Sequence, residues 1–175
     1  PRHPGDAVRL GIGYVPEDRK RSGLLLNFRL FSNHTLASLK KFARGGRLVQ
    51  RLEVRAFQRW MQELSIRARS AHQQAASLSG GNQQKVVLSK WLELSPRLLI
   101  LDEPTRGVDV GAKVELYEII NRLVASGTAI LMISSDLPEV LGMSDRIVVM
   151  HEGRVTGEFE RAQATKERVM AAAIA

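Results

Sequence analysis

The run Leu98-Leu99-Ile100-Leu101, with Pro96 before it and Asp102-Glu103-Pro104 after it, constrains this chain more than any other segment. Four consecutive apolar residues between prolines have strand length and no polar face, which is how a buried parallel strand reads. A second such run, Ala129 to Ile133, follows an amphipathic helical stretch marked by Val114, Tyr117, Ile120 and Val124 and stopped near Gly127. Pro138 to Met143 then reads as a short helix. Arg146 to His151 and Arg154 to Glu160 read as a hairpin about Glu152-Gly153, and 163–173 as a last helix. Strands and helices alternating at these lengths imply an α/β layer with a mostly parallel sheet.

The chain before residue 95 has a different character. Phe57, Trp60, Met61 and Leu64 follow the i, i+3, i+4, i+7 spacing of one helix face within 49–66, after the breaking pair Gly45-Gly46. Gln83 to Leu94 reads as another helix, with Val87, Trp91 and Leu94 on one side and Pro96 beyond its end. Pro1 to Asp6 reads as a loop. Residues 1–75 carry 15 Lys/Arg against 5 Asp/Glu, and 76–175 carry 11 against 13, within a net charge of +8. This asymmetry suits a nucleic-acid surface, an anionic membrane, a nucleotide or simply a solvated basic face. An aromatic content of 5% argues against base-stacking platforms. The absence of cysteine excludes disulfides and thiolate metal sites. No apolar run reaches bilayer-spanning length, and with no signal pattern the default compartment is the cytoplasm. His3, His34, His72 and His151 have no metal-ligand spacing and read as surface or satisfied histidines; Trp60 and Trp91 read as core.

Two segments carry chemistry. A buried strand ending in Asp102-Glu103 puts two carboxylates at the carboxyl edge of the sheet, where open α/β sheets bind ligands. In phosphoryl transfer the first such carboxylate holds Mg²⁺ and the second orients and deprotonates water. A strand that merely ends in a polar loop gives the same pattern. Leu78-Ser79-Gly80-Gly81-Asn82-Gln83-Gln84-Lys85 opens a helix with an N-cap candidate, Ser79, and two glycines that allow close backbone approach. Free N–H groups at such a start make an anion site, although an ordinary capped helix also reads this way.

In combination these segments resemble the ATP-binding cassette (ABC) family. Ser79 lies 23 residues before Asp102. Leu78 to Gln84 looks like the signature loop, Ile100 to Glu103 like the Walker B strand, and Gly107-Val108-Asp109 like the D-loop. Tyr14 to Arg19 occupies the Q-loop, with Glu17 where the family usually has Gln. Ile133 to Asp136 occupies the switch region, with Ser135 where the family usually has His. No G-x-x-x-x-G-K-[ST] phosphate loop occurs, so the chain is expected to begin after the family's Walker A portion. Glu17-Asp18-Arg19-Lys20 with Gly23-Leu24, and Pro138 to Arg146, are similar to the second of two fused nucleotide-binding domains in monosaccharide importers. The tail, with Gly157-Glu158-Phe159, Gln163-Ala164-Thr165 and Met170-Ala171-Ala172, looks most like the ribose-type members.

The resemblance implies a P-loop NTPase-like α/β fold: a helical signature subdomain over about 20–95 and an α/β core over about 96–175. It implies an ATPase, with ATP and Mg²⁺ as cofactors, that energises import of a monosaccharide, ribose favoured. Ser79, Gly80, Gly81, Gln84 and Asp109 would serve nucleotide held by the first nucleotide-binding domain of the same polypeptide. Glu103 would be catalytic, Asp102 and Glu17 metal ligands, and Glu17 and Ser135 neighbours of this domain's own nucleotide. That second site is expected to be slow or inactive, because Ser135 lacks an imidazole and Glu17 adds negative charge. The chain alone is expected not to hydrolyse ATP. Implied partners are integral membrane permease subunits and, indirectly, a periplasmic sugar-binding protein, with no nucleic acid; the implied location is peripheral, on the cytoplasmic face of the inner membrane. Arg19-Lys20-Arg21 would face the permease or be a solvated charge run, and Arg106 would face the partner domain or pair with Asp109. A cassette ATPase acting on nucleic acid or the ribosome is the alternative. The 62-residue interval from Glu17 to Ser79 lacks heptads, unlike DNA-repair members, and ribosome-acting members usually keep the switch His. A structural or regulatory piece without a catalytic role is a third reading.

Overall fold

The computed structural model describes residues 1–174. The chain forms two compact units, Pro1–Leu131 and the residues from Met132 onward.

The first unit opens with helix α1 (Pro4–Arg9), where the sequence suggested a loop. Pro4 stands at the first helical position, where a missing N–H is harmless, and the Asp6 carboxylate accepts the His3 N–H at 3.1 Å. Strand β1 (Ile12–Val15) follows, then a π-turn over Arg19–Gly23, then α2 (Leu30–Thr35). Two short antiparallel strands, β2 (Ala43–Arg44) and β3 (Arg47–Leu48), turn about Gly45-Gly46 into α3 (Gln50–Glu63). Helix α4 (Gly80–Leu92) leads through Ser95, at φ +51, to β4 (Leu98–Asp102). Helix α5 (Val110–Ala125) then leads to β5 (Ala129–Ile133), which is not the buried strand its apolar run implied: it lies at the sheet edge and leaves Leu131 and Ile133 about half exposed.

The sheet order is β1-β4-β5. β1 and β4 run parallel, Tyr14 opposite Ile100 and Val15 opposite Leu101. Leu99 and Leu101 are fully buried, while Leu98 and Ile100 are half-buried, so one face of the strand is closed rather than both as the proline-bounded run implied. Gly13 brings the strands close under the helix: a Cβ there would lie 2.9 Å from Leu99 Cδ1 and 3.2 Å from Trp91 Cβ.

Helix α4 buries ten of its thirteen residues, so its hydrophobic pattern is all-round rather than striped. Most of its buried polar side chains find a partner, although Gln83 Oε1 and Trp91 Nε1 do not. Lys90 donates to the Gly23 carbonyl at 2.8 Å, Gln83 to the Ala75 carbonyl at 3.0 Å, and Ser89 meets His34 Nδ1 at 3.1 Å. Burial pushes the Lys90 ammonium below its ordinary pKa.

Glu93, directly after α4, ties three other segments together. Its carboxylate accepts from Trp60 Nε1 at 2.8 Å and Arg59 Nη2 at 3.0 Å, with His34 Nε2 at 3.5 Å and Lys41 Nζ at 3.5 Å. Burial alone would raise its pKa; the His34 and Trp60 contacts and the Lys41 charge overcome this and lower it to about 2.

In the second unit, Asp136 caps α6 (Leu137–Met143) by accepting the Glu139 N–H at 3.4 Å. Strands β6 (Arg146–His151) and β7 (Arg154–Glu160) form the expected hairpin, with Glu152 at φ +46 and Gly153 at φ +78. Both turn residues being left-handed matches the twist of a two-residue hairpin. Helix α7 (Lys166–Ala173), capped by Thr165, packs Val169 and Ala172 on Ile147 and Val149.

A carboxylate whose folded pKa lies below its unfolded value stabilises the fold above the unfolded value and loses that stabilisation as pH falls through the folded one. For Glu93 the loss runs from about pH 4.5 down to about pH 2. Glu93→Gln is expected to destabilise at pH 7, by roughly 1–2 kcal/mol once solvent screening is allowed for, and to flatten this acid limb. Denaturant unfolding at pH 7 and pH 3 checks it; equal acid sensitivity in both proteins would contradict the assignment.

Candidate functional site

Ser79 is exposed and occupies the N-cap position of α4, as its sequence position suggested. Its hydroxyl does not cap the helix backbone. Instead it accepts from Asn82 Nδ2 at 2.9 Å, while Asn82 Oδ1 accepts the Arg67 N–H at 2.7 Å. Ser79 thus opens onto a shallow cavity of about 510 Å³, lined also by Arg67, Arg69, Gln73, Ser77 and Asn82. Arg69 beside a helix start favours an anionic occupant, while Arg67 Nη2 is paired with Glu115 Oε1 at 3.1 Å.

The glycines have a packing role that sequence reasoning missed. A Cβ at Gly80 would lie 2.6 Å from Arg19 Nη2 and 3.0 Å from the Gly107 carbonyl oxygen; one at Gly81 would lie 2.6 Å from Ala112 Cβ. Close approach is real here, but to neighbours in the same chain. Gly81 is buried, and Gln84 is 2% exposed, so Gln84 lies in the interior rather than on the surface with Ser79. Lys85, also 2% exposed, bonds Glu115 Oε2 at 2.6 Å and the Ser65 carbonyl at 3.2 Å. The Lys85 hydrogen bond and charge hold the Glu115 carboxyl below its ordinary range.

At the end of β4, Asp102 Oδ2 accepts the Tyr14 hydroxyl at 2.7 Å. That bond, aided by burial, raises the tyrosine pKa. Glu103 sits at φ +46, a conformation uncommon outside glycine, and its carbonyl accepts the Arg106 N–H at 3.1 Å. The chain thus turns sharply off the strand, leaving both carboxylates at the edge of the sheet. Gly107, at φ +64, continues the turn, and Asp109 Oδ1 caps α5 by accepting the Ala112 N–H at 3.0 Å.

Two expectations need correcting. Arg106 pairs with Glu17, while Asp109 is the helix cap. Glu17 therefore meets a cation of its own chain, and the described residues contain no group of three or more metal-type side chains. Both the Asp102 and the Glu17 carboxylates are chemically suited to a hard cation, and Glu17 has the Arg106 guanidinium beside it. Arg19, read as part of a surface charge run, is turned inward, whereas Lys20 and Arg21 are exposed. Ser135 lies in the second unit and is exposed. Its neighbour Ser134 donates to Glu139 Oε2 at 2.5 Å, and Glu139 is only 2% exposed.

Tyr14 and Arg19 were missed because their partners lie 87 or 88 residues away. No local spacing signals such contacts.

The chain matches the ABC transporter family model over residues 4–106. It is 55% identical over 170 residues to the ribose import ATP-binding protein RbsA of Chromobacterium violaceum, covering 97% of this chain and 34% of that protein. It is 52% identical over 172 residues to the xylose import ATP-binding protein XylG of Geobacillus kaustophilus, covering 98% and 34%. The chain thus spans about one third of the length of these relatives. Among solved structures it is similar to the ATP-binding cassette MJ1267 in its ADP conformation (TM-score 0.77, 20% identity, 99% of this chain and 72% of that one). It is also similar to the dimeric cassette MJ0796 bound to ADP and Pi (TM-score 0.73, 20% identity, 89% and 66%). The expected α/β cassette fold is thereby confirmed.

Gly81→Ala should destabilise by roughly 1–3 kcal/mol through the clash with Ala112. Adding Ala112→Gly should recover part of that loss, with a coupling of at least about 0.5 kcal/mol. Thermal melts of the four proteins measure this; strict additivity would mean that α4 and α5 do not meet there.

Proposed function

Since the chain belongs to the ABC transporter family, we propose that it is part of an ATP-hydrolysing subunit that energises import of a monosaccharide. The sugar class is pentose, because ribose-import and xylose-import proteins match it at similar identity. The observation that carries the reading is Ser79: an exposed serine at the start of an otherwise buried helix, facing a cavity with two arginines. A nucleotide seated on a second cassette would meet Ser79 and Gly80 from outside, its phosphates drawn by the N–H groups and positive end of α4. Membrane permease subunits are the partners through which such a subunit would act. No helix among the described residues is long and apolar enough to cross a membrane, so attachment through partners suits the reading.

At this chain's own sheet edge, Asp102 would hold Mg²⁺ through its carboxylate, steadied by the Tyr14 hydroxyl. Glu103, on its sharp turn, would orient and deprotonate water. Glu17 is held by Arg106, and the sequence has Ser135, which lacks an imidazole, where the family usually has His. These departures fit a slow site here and a working one opposite, where Ser79 and Gly80 would serve.

Two measurements in the full polypeptide test this. Ser79→Arg, which fills the cavity mouth, should lower ATP hydrolysis and ATP-dependent pentose uptake by about 10²-fold or more; wild-type uptake would refute the reading. Glu103→Gln should reduce ATPase activity far less than the equivalent change in the other cassette, and equal losses would reject the asymmetry.

A further inference from the structure

We propose that Arg19 is a positioning residue that sets the first turn of the α4 helix in its nucleotide-facing arrangement. The inference rests on the reading of Ser79 and Gly80 given above. Arg19 opens the π-turn after β1, and its guanidinium points back across the fold. Nη1 donates to the Arg106 carbonyl at 2.8 Å and Nη2 to the Gly107 carbonyl at 3.1 Å. Nη2 also lies where a side chain on Gly80 would stand. Two neighbouring carbonyls are thus gripped by one planar fork lying beside the start of α4. Only a glycine at position 80 leaves that space open, and the left-handed Gly107 aims its carbonyl there.

The same two segments are joined a second time. Glu17, two residues before Arg19, pairs with the Arg106 side chain, so the segment after β1 holds residue 106 by both backbone and guanidinium. The Glu17–Arg106 pair is exposed, at 45% and 65%, and water competes for it. Arg19 is half-buried and its Nε is shut from solvent without a protein partner. A half-buried guanidinium held by two carbonyls is a directional contact, which makes Arg19 rather than the outer pair the determinant of where Gly80 sits. The consequence is a physical link between the segment carrying Glu17, the turn after Glu103 and the helix start formed by exposed Ser79 and half-buried Gly80.

The test is the ATP dependence of hydrolysis by the full polypeptide carrying Arg19→Lys or Arg19→Ala. Lysine keeps the charge and stem but cannot grip two carbonyls as a fork. Both variants are expected to raise KM for ATP by about tenfold, with kcat changed less and the thermal midpoint of Arg19→Lys unaltered. Millimolar methylguanidine should return the KM of Arg19→Ala toward wild type. Wild-type KM in Arg19→Lys would overturn the proposal, as would a defect in Arg19→Ala that methylguanidine leaves untouched. If Arg19→Ala does not fold, Arg19→Lys alone decides. Ser79→Arg, measured in parallel, separates the two levels of inference. Loss of activity there with silent Arg19 variants removes only the positioning role; a silent Ser79→Arg removes the nucleotide-facing reading, and this proposal with it.

Discussion

Helix α4 has no solvent face to spend its polar residues on, and the first unit is arranged around that constraint. Gln83, Gln84, Lys85, Ser89 and Lys90 all lie inside. A buried cation or amide without a partner is costly. The fold therefore brings a carbonyl from the turn after β1 to Lys90, a carboxylate from α5 to Lys85, and a histidine from α2 to Ser89. Each partner comes from a different part of the chain. Satisfying one helix consequently fixes the relative placement of several others, and Glu93 repeats the device just beyond its end.

The same helix is what the exposed edge depends on. Ser79 and Gly80 project from the end of an element held on nearly every side, so the edge is built on a rigid base. Such mounting is what a surface needs if it is to meet a nucleotide presented by another cassette without reorganising. Around it, half-buried Arg19 and the exposed Glu17–Arg106 pair contribute unequally. The exposed pair is worth at most about 1 kcal/mol, whereas a directional guanidinium grip on two carbonyls resists displacement.

Much of this was legible in the residues. The proline-bounded run did become a parallel strand with one buried face, the hairpin turned at Glu152-Gly153, α3 and α5 lie where their apolar spacing placed them, and α7 falls within the expected 163–173. Those features depend on period and on turn chemistry, which act within a few residues. The opening helix was hidden by Pro4 and Gly5, which signal loops except at a helix start. β1 was also easy to miss, being four residues long and interrupted by a glycine.

The sequence by itself settled the strands and helices from α3 onward that its periodicity and turn chemistry mark, the pair of carboxylates at the end of β4, and which serine begins the critical helix. Only the tertiary structure decided what those groups touch. It assigned Glu17 to Arg106, Tyr14 to Asp102, Gln84 to the interior and Arg19 to the carbonyls beside Gly80. The reason is range. Local pattern reports the periodicity of a backbone, but a hydrogen bond between residues nearly ninety positions apart depends on how packed elements register in space.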